Sequence, residues 1–416
     1  MFTLRYESGF APPPTHSRDL LTMLLNRIVA TTALTLALAP LTPAFAGTID
    51  VPSGIADLQT AIDAAAPGDV IRVDGGVWDD LAISTPVTIV GAVGNRPTIR
   101  CTSANPDAGS GFCSPIGAVR LAGTGSGVVQ FINVDIDGGD AQGAFYCNPH
   151  NGVIGGGFDE LRFVDCSVTA GEWIFVTGGA DGADGVSVSV PLTVAQGSTF
   201  SGGRGGDDEG VDFGILTRQG RGLHTSGDLV AIDSQFVGGD GWDATYFAFS
   251  CPGFDVWQFG EGGDGVAVGS TLFRDSASVF EGGVGAVVTC NDTGEQFPQG
   301  DGADIVAGTD TQLTGDLQSS GPLVMGQTWT ASWTSAAPTT VLALALPAAP
   351  LQVGQKGPLF LDLNTLFLFF FGGVGPQNLT VTAPTDPNLL GLTVGLQVYD
   401  TSAFKLSNPV FGTHQN

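Results

Sequence analysis

Apolar positions between residues 48 and 100 change their period twice, and each change marks an element. Ile55, Leu58 and Ile62 recur at helical spacing, with Asp57 where the helix dipole favours an acid. Pro67-Gly68 stops the helix. Val70-Ile71-Arg72-Val73 then reads as a strand, Gly75-Gly76 as a turn, and Val87-Thr88-Ile89-Val90-Gly91 as a further strand. Beyond them, five segments repeat one pattern: a small or polar residue, any residue, an apolar residue and then, usually, glycine. Their apolar anchors are Ile136, Val168, Phe200, Phe236 and Phe280, spaced 32, 32, 36 and 44 residues apart. Val153, Val186, Leu223 and Val266 mark a second strand, 15, 14, 13 and 14 residues before the last four anchors.

A constant strand pair with a variable connection is the signature of stacked coils that differ in one loop. Side chains alternate across a strand, so each anchor shares its face with the residue two positions earlier. Stacking then predicts an inward column of Ile136, Val168, Phe200, Phe236 and Phe280. Beside it should run Val134, Cys166, Ser198, Ser234 and Ser278.

The run DLQTAIDAAAPGDVIRVDGGVW (57–78), followed by ISTPVTIVGAVGNRPTI (83–99), resembles the opening of pectate-lyase-like single-stranded right-handed parallel β-helix proteins. In that family an amphipathic helix caps the first coil, whose open edge would otherwise recruit another chain. The resemblance covers about 50 residues directly and implies an all-β chain, a right-handed parallel β-helix over 47–311. It implies no activity, because lyases, hydrolases, epimerases and non-catalytic proteins share this opening.

Near residue 312 the glycine pairs stop. Segments 328–333, 340–346, 359–363, 378–382 and 392–399 read as strands, which predicts a small β-sandwich over 312–416. The apolar run 366–371 is too short to span a bilayer and reads as a core strand. The tail resembles the C-terminal β-sandwich modules of secreted bacterial proteins. Capping the last coil, surface attachment and sugar binding are the roles open to it.

Charge narrows the partners. The chain has 41 acidic and 14 basic residues, a formal net charge of -27. A nucleic acid would meet repulsion rather than release counterions. Arg27 precedes an Ala/Leu/Thr-rich run ending in Ala44-Phe45-Ala46, which reads as a signal peptide. Cleavage after Ala46 makes 1–46 the exported leader, with Met23 as an alternative start, and leaves no transmembrane segment in the mature chain. The expected location is extracellular or at the cell surface. Cys101, Cys113, Cys147, Cys166, Cys251 and Cys290 follow, and an even count in an exported chain favours disulfides. Cys101–Cys113 is the first candidate pair and Cys251–Cys290 the next. In the column just described, Cys166 is alternatively a buried free thiol.

Catalytic signatures of the resembled family do not carry over. Its polygalacturonase-like members use Asn-Thr-Asp, Gly-His-Gly and Arg-Ile-Lys motifs, none of which occurs here. The densest local constellation is Arg204, Asp207, Asp208, Glu209, Asp212, Arg218, Arg221 and His224. Carboxyls beside a guanidinium and an imidazole are the raw materials of glycoside hydrolysis or elimination. A solvated loop between coils accounts for the same residues. Asp181, Asp184, Asp240, Asp243, Asp301 and Asp304 lie in Gly-rich loops and are candidate ligands for a structural Ca²⁺. Tight turns, with glycine at positive φ and Asp capping the backbone, explain the same letters. Trp242, Tyr246, Phe247, Phe249, Phe254, Trp257 and Phe259 form either a loop mini-core or a sugar-stacking surface. The expectation is a secreted or surface-displayed non-catalytic scaffold, adhesin-like binder or matrix component. A polysaccharide lyase or glycoside hydrolase, and a calcium-dependent carbohydrate-binding protein, are the alternatives.

Overall fold

The computed structural model describes residues 47–52, 57–101, 117–140, 149–172, 182–205, 219–241, 244–246, 261–290, 294–313, 317–386, 389–402 and 404–415. The chain divides into two compact units, one built on Gly47–Leu313 and the other on Thr314–His414.

The first unit is a parallel β-helix. Each coil lays down three strands rather than two. Sheet A contains Leu81–Ile83, Gly117–Ala122, Asn151–Gly156, Val186–Ser189 and Leu223–Thr225. Sheet B contains Thr48–Val51, Val70–Val73, Thr88–Gly91, Val128–Ile132, Glu160–Val164, Leu192–Gln196 and Asp228–Ile232. Sheet C contains Gly76–Trp78, Pro97–Arg100, Asp135–Asp137, Ser167–Thr169, Thr199–Ser201, Gln235–Val237 and Val279–Glu281. One long strand, Val266–Arg274, continues sheets A and B together, and Ile305–Gln312 pairs upon it.

The anchors stack as the spacing requires. Ile136, Val168, Phe200, Phe236 and Phe280 are register partners in sheet C. Phe200 and Phe236 lie 4.9 Å apart between ring centroids and 8° from parallel; Phe236 and Phe280 lie 5.0 Å apart at 4°. Arg274 closes the end of this pile, 5.7 Å over the Phe280 ring. Facing them, Val153, Val186, Leu223 and Val266 are fully buried from sheet A.

Sheet B is what the repeat pattern did not separate. Four of its strands, Val128–Ile132, Glu160–Val164, Leu192–Gln196 and Asp228–Ile232, run into sheet C through a corner residue in the left-handed region, Asn133, Asp165, Gly197 and Asp233 in turn. Asn, Asp and Gly are the residues that tolerate that conformation. A corner one residue wide makes two strands read as one.

The polar column beside the anchors forms a ladder inside the stack. Cys166 N–H donates to Ser198 Oγ at 3.0 Å, Ser198 N–H to Ser234 Oγ at 3.2 Å, and Ser234 N–H to Ser278 Oγ at 3.3 Å. The Ser198 and Ser234 hydroxyls donate in turn to Gln196 and Ile232 carbonyls, both at 2.9 Å. Cys166 sits on this ladder as a free, buried thiol, which corrects its candidacy for a disulfide. Burial pushes its pKa up to about 12, so it stays protonated. Ser198→Ala would strand the buried Cys166 N–H, while the Gln196 carbonyl keeps the Asp165 N–H. It should cost about 1–3 kcal/mol, read as a lower denaturation midpoint at unchanged slope.

The opening coil is capped as its sequence suggests. The helix Leu58–Ala64 buries Leu58 and Ile62, and Asp57 caps it by accepting from Gln59 N–H at 3.0 Å. Gln59 also pairs with Ala82 on the first strand of sheet A. Its amide donates to the Ala82 carbonyl at 2.9 Å and accepts from Ala82 N–H at 2.7 Å. One side chain thus occupies backbone groups that an open edge would offer to another chain.

The second unit is an antiparallel sandwich. One sheet orders Gln318–Ser319, Thr328–Ser335 and Gly375–Thr382; the other orders Leu323–Val324, Val410–Gln415, Thr393–Asp400, Thr339–Ala345 and Phe367–Gly372. Trp329, Trp333, Leu342 and Leu396 form its core. The run 366–371 is not a core strand. Phe367–Gly372 ends its sheet and leaves Phe367 65% and Phe370 49% exposed. Among the described residues, no helix is long and apolar enough to cross a membrane.

Candidate functional site

The long excursions of the β-helix leave sheet C and return to sheet A at one corner, which is where the described candidate catalytic and calcium residues lie. The corner is held by glycines. Gly203 N–H donates to the Ala183 carbonyl, Gly220 to Gly203, Gly239 to Gly220, Gly263 to Gly239, Gly283 to Gly263 and Gly302 to Gly283, at 2.7–2.9 Å. Departing legs (Gly203, Gly239, Gly283) alternate with returning legs (Ala183, Gly220, Gly263, Gly302) in one continuous hydrogen-bonded spine. These glycines lie outside the left-handed region. They are required instead by close approach, because an added Cβ at Gly263 would overlap the Gly220 carbonyl. This corrects the tight-turn account of the glycines, and of the aspartates Asp240, Asp301 and Asp304, whose N–H partners lie 16–44 residues away rather than in their own turns.

Aspartates clip successive coils together along the same corner. Asp240 accepts from Val284 N–H at 2.9 Å, Asp301 from Gly285 N–H at 2.8 Å, and Asp304 from Gly282 N–H at 3.0 Å. Asp264, outside the candidate set, accepts from Ala303 N–H at 3.0 Å. A calcium site needs six or more converging oxygens. Among the described residues, no group of three or more His, Cys, Asp or Glu side chains could hold a metal. Asp181 and Asp243 lie outside the described residues.

Of the candidate catalytic set, Arg204, Arg221 and His224 are described; Asp207, Asp208, Glu209, Asp212 and Arg218 lie outside the described residues. The register Val186↔Leu223 and Ser187↔His224 brings Arg221 and His224 beside Asp184 and Ser187 of the preceding coil. Asp184 is one of the calcium candidates in the sequence, whereas Ser187 belongs to none of its motifs. Their nearness lay in the spacing of the sheet A strands, since Asp184 and Arg221 each stand two residues before a register partner.

Asp184 is nearly buried, and Arg221 grips it from two sides. Arg221 Nε donates to Asp184 Oδ1 at 3.1 Å and Nη2 to Oδ2 at 2.9 Å, while Arg221 N–H reaches Oδ1 at 2.9 Å. A bidentate pair of this kind is geometrically specific and commits both carboxylate oxygens. His224 projects from sheet A, with Nδ1 3.4 Å from Ser187 Oγ. Burial holds its pKa below the ordinary value, the Arg221 charge adds to this, and Asp184 opposes it. His224 is therefore neutral at neutral pH. General acid–base cleavage needs a carboxyl free to exchange a proton. The one carboxylate placed here by the described residues is clamped by a guanidinium.

For the other cysteine candidates, Cys113, Cys147 and Cys251 lie outside the described residues. The pairs Cys101–Cys113 and Cys251–Cys290 therefore lie there too, and Cys101 is buried. Cys290 ends the short strand Val287–Cys290. The side chains of the aromatic group 242–259 also lie outside the described residues. Comparison of the chain with family models, curated proteins and solved structures found no match.

Proposed function

We propose that this chain is an exported, non-catalytic β-helix of the pectate-lyase-like kind, serving as a scaffold or matrix component at or beyond the cell surface. The observation that carries this reading is the commitment of five carboxylates described at the corner. Asp184 is clamped by Arg221, and Asp240, Asp264, Asp301 and Asp304 each hold a backbone N–H of a neighbouring segment. Acidic side chains spent on coil-to-coil bonds build a durable frame rather than a proton-transfer device. The negative charge of the chain suits a hydrated extracellular setting and disfavours polyanionic ligands.

The test is a panel of neutral and acidic glycans incubated with the purified protein, with and without Ca²⁺. New reducing ends and unsaturated products are the readouts. The expected result is neither. Turnover that disappears in a His224→Ala variant would overturn the reading and establish an enzyme. Calcium-dependent retention of a glycan without turnover would replace it with a carbohydrate-binding function.

A further inference from the structure

The corner between sheets B and C stacks Asn133, Asp165, Gly197 and Asp233 one per coil, because the strands before them are in register. Most acids along it are firmly engaged. Asp275, in the coil beyond Asp233, accepts from Ser278 N–H at 2.9 Å, Ser278 Oγ at 2.7 Å and Asp233 N–H at 3.1 Å. Asp135 faces Arg96, with Nε 3.1 Å from Oδ1. Asp165 differs from both. Its half-buried carboxylate meets a neutral donor, the Gln415 amide, at 3.2 Å from Oδ2, and Gln415 groups with the β-helix unit. Oδ1 lies over Gly197, where an added Cβ would fall 2.6 Å from it. Arg96 also reaches Asp165, but its Nη2 donates to the main-chain carbonyl and not to the carboxylate.

We propose that Asp165 makes this corner a proton-operated clasp: it takes up a proton as the surroundings turn weakly acidic, and the β-helix is held more firmly there than at neutral pH. The cause is a carboxylate drawn out of water with no guanidinium bonded to it. Burial pushes the Asp165 carboxyl above its ordinary value. The Gln415 hydrogen bond and the Arg96 charge pull it partly back, and the Asp233 charge adds to the rise. Asp233 is itself pushed up, by burial and then by Asp275. The neighbouring Cys166 thiol stays protonated and contributes no charge. The sign follows from linkage. A carboxyl that holds its proton more tightly in the folded chain than in the unfolded one favours folding increasingly as pH falls through its folded value. The gain is complete below the ordinary carboxylate value of 3.8. The column also supplies its own uncharged variant. Asn133 occupies the equivalent corner at φ 54°, against 52° for Asp165, so an amide fits the left-handed backbone here. This proposal goes beyond the scaffold reading and stands whether or not the β-helix processes a glycan.

Denaturation midpoints of the full chain and of Asp165→Asn, followed from neutral pH down to about pH 4.5, test it. At neutral pH the variant should have the higher midpoint, because it has no charge to bury, and the difference should close as pH falls. Glu261→Gln removes one exposed negative charge from a chain of formal net charge -27, and so controls for general repulsion. It should give no comparable gain at neutral pH. A second measurement reads the proton itself. Net proton release on unfolding at about pH 5.5, followed with an indicator dye in weak buffer, should be lower in Asp165→Asn than in the wild type. A variant less stable than the wild type at neutral pH would overturn the proposal. So would a midpoint difference that does not change with pH, a gain matched by Glu261→Gln, or equal proton release from the two chains.

Discussion

Phe236→Ala should lower the stability of the β-helix by about 3–5 kcal/mol, the cost of emptying a close-packed aromatic site. Phe236 is fully buried and is sandwiched by Phe200 and Phe280, with ring centroids 4.9 and 5.0 Å away. Neither neighbour can fill the void, because each is held in register by its own strand of sheet C. Phe280→Ala, at the half-buried end of the pile, should cost distinctly less. Equilibrium denaturation of the two variants checks the ordering, and equal losses would mean that the stack is not a continuous core.

Gly263→Ala should be comparably damaging, at about 3 kcal/mol, the upper end of overpacking costs. The new methyl would overlap the Gly220 carbonyl oxygen, with further backbone close behind it. Relief requires separating legs that are joined on both sides, since Gly263 donates to Gly239 and accepts from Gly283, at 2.8 and 2.7 Å. Gly300→Ala is the matching control. An added Cβ there meets nothing within 4 Å, so the change should be neutral or slightly stabilising through the unfolded chain. Denaturation midpoints that fall equally in both variants would show that these glycines matter for flexibility rather than for close approach.

Much of this architecture is legible in the amino-acid sequence. Phe200, Phe236 and Phe280 stand out because each lies two residues after a serine and two before a glycine, with Val186, Leu223 and Val266 preceding them by 14, 13 and 14 residues. The capping helix was legible from Leu58 and Ile62. Sheet B was not, because Asn133, Asp165, Gly197 and Asp233 turn the chain within a single residue, leaving no gap in the apolar pattern. The Asp184–Arg221 clamp was hidden for another reason. Its partners are 37 residues apart, and only the register of two sheet A strands makes them neighbours. The corner glycines were visible as letters but not as causes. A turn at positive φ and a contact too tight for a methyl both call for glycine, and only the identity of the neighbouring backbone separates the two. The apolar run at 366–371 misled in the opposite direction, since hydrophobicity reports an affinity for burial and not which surface provides it.

The glycine spine also explains how the anchors tolerate intervals as different as 36 and 44 residues. Both feet of the excursions 203–220, 239–263 and 283–302 are locked into the same rail, so the frame registers where a segment leaves and re-enters but not how long it is. Chain can be added or removed between Gly239 and Gly263 while the rungs above and below keep their height. One flank of the molecule is thereby released to vary while the other sides remain fixed, which makes this corner the natural place to graft foreign sequence.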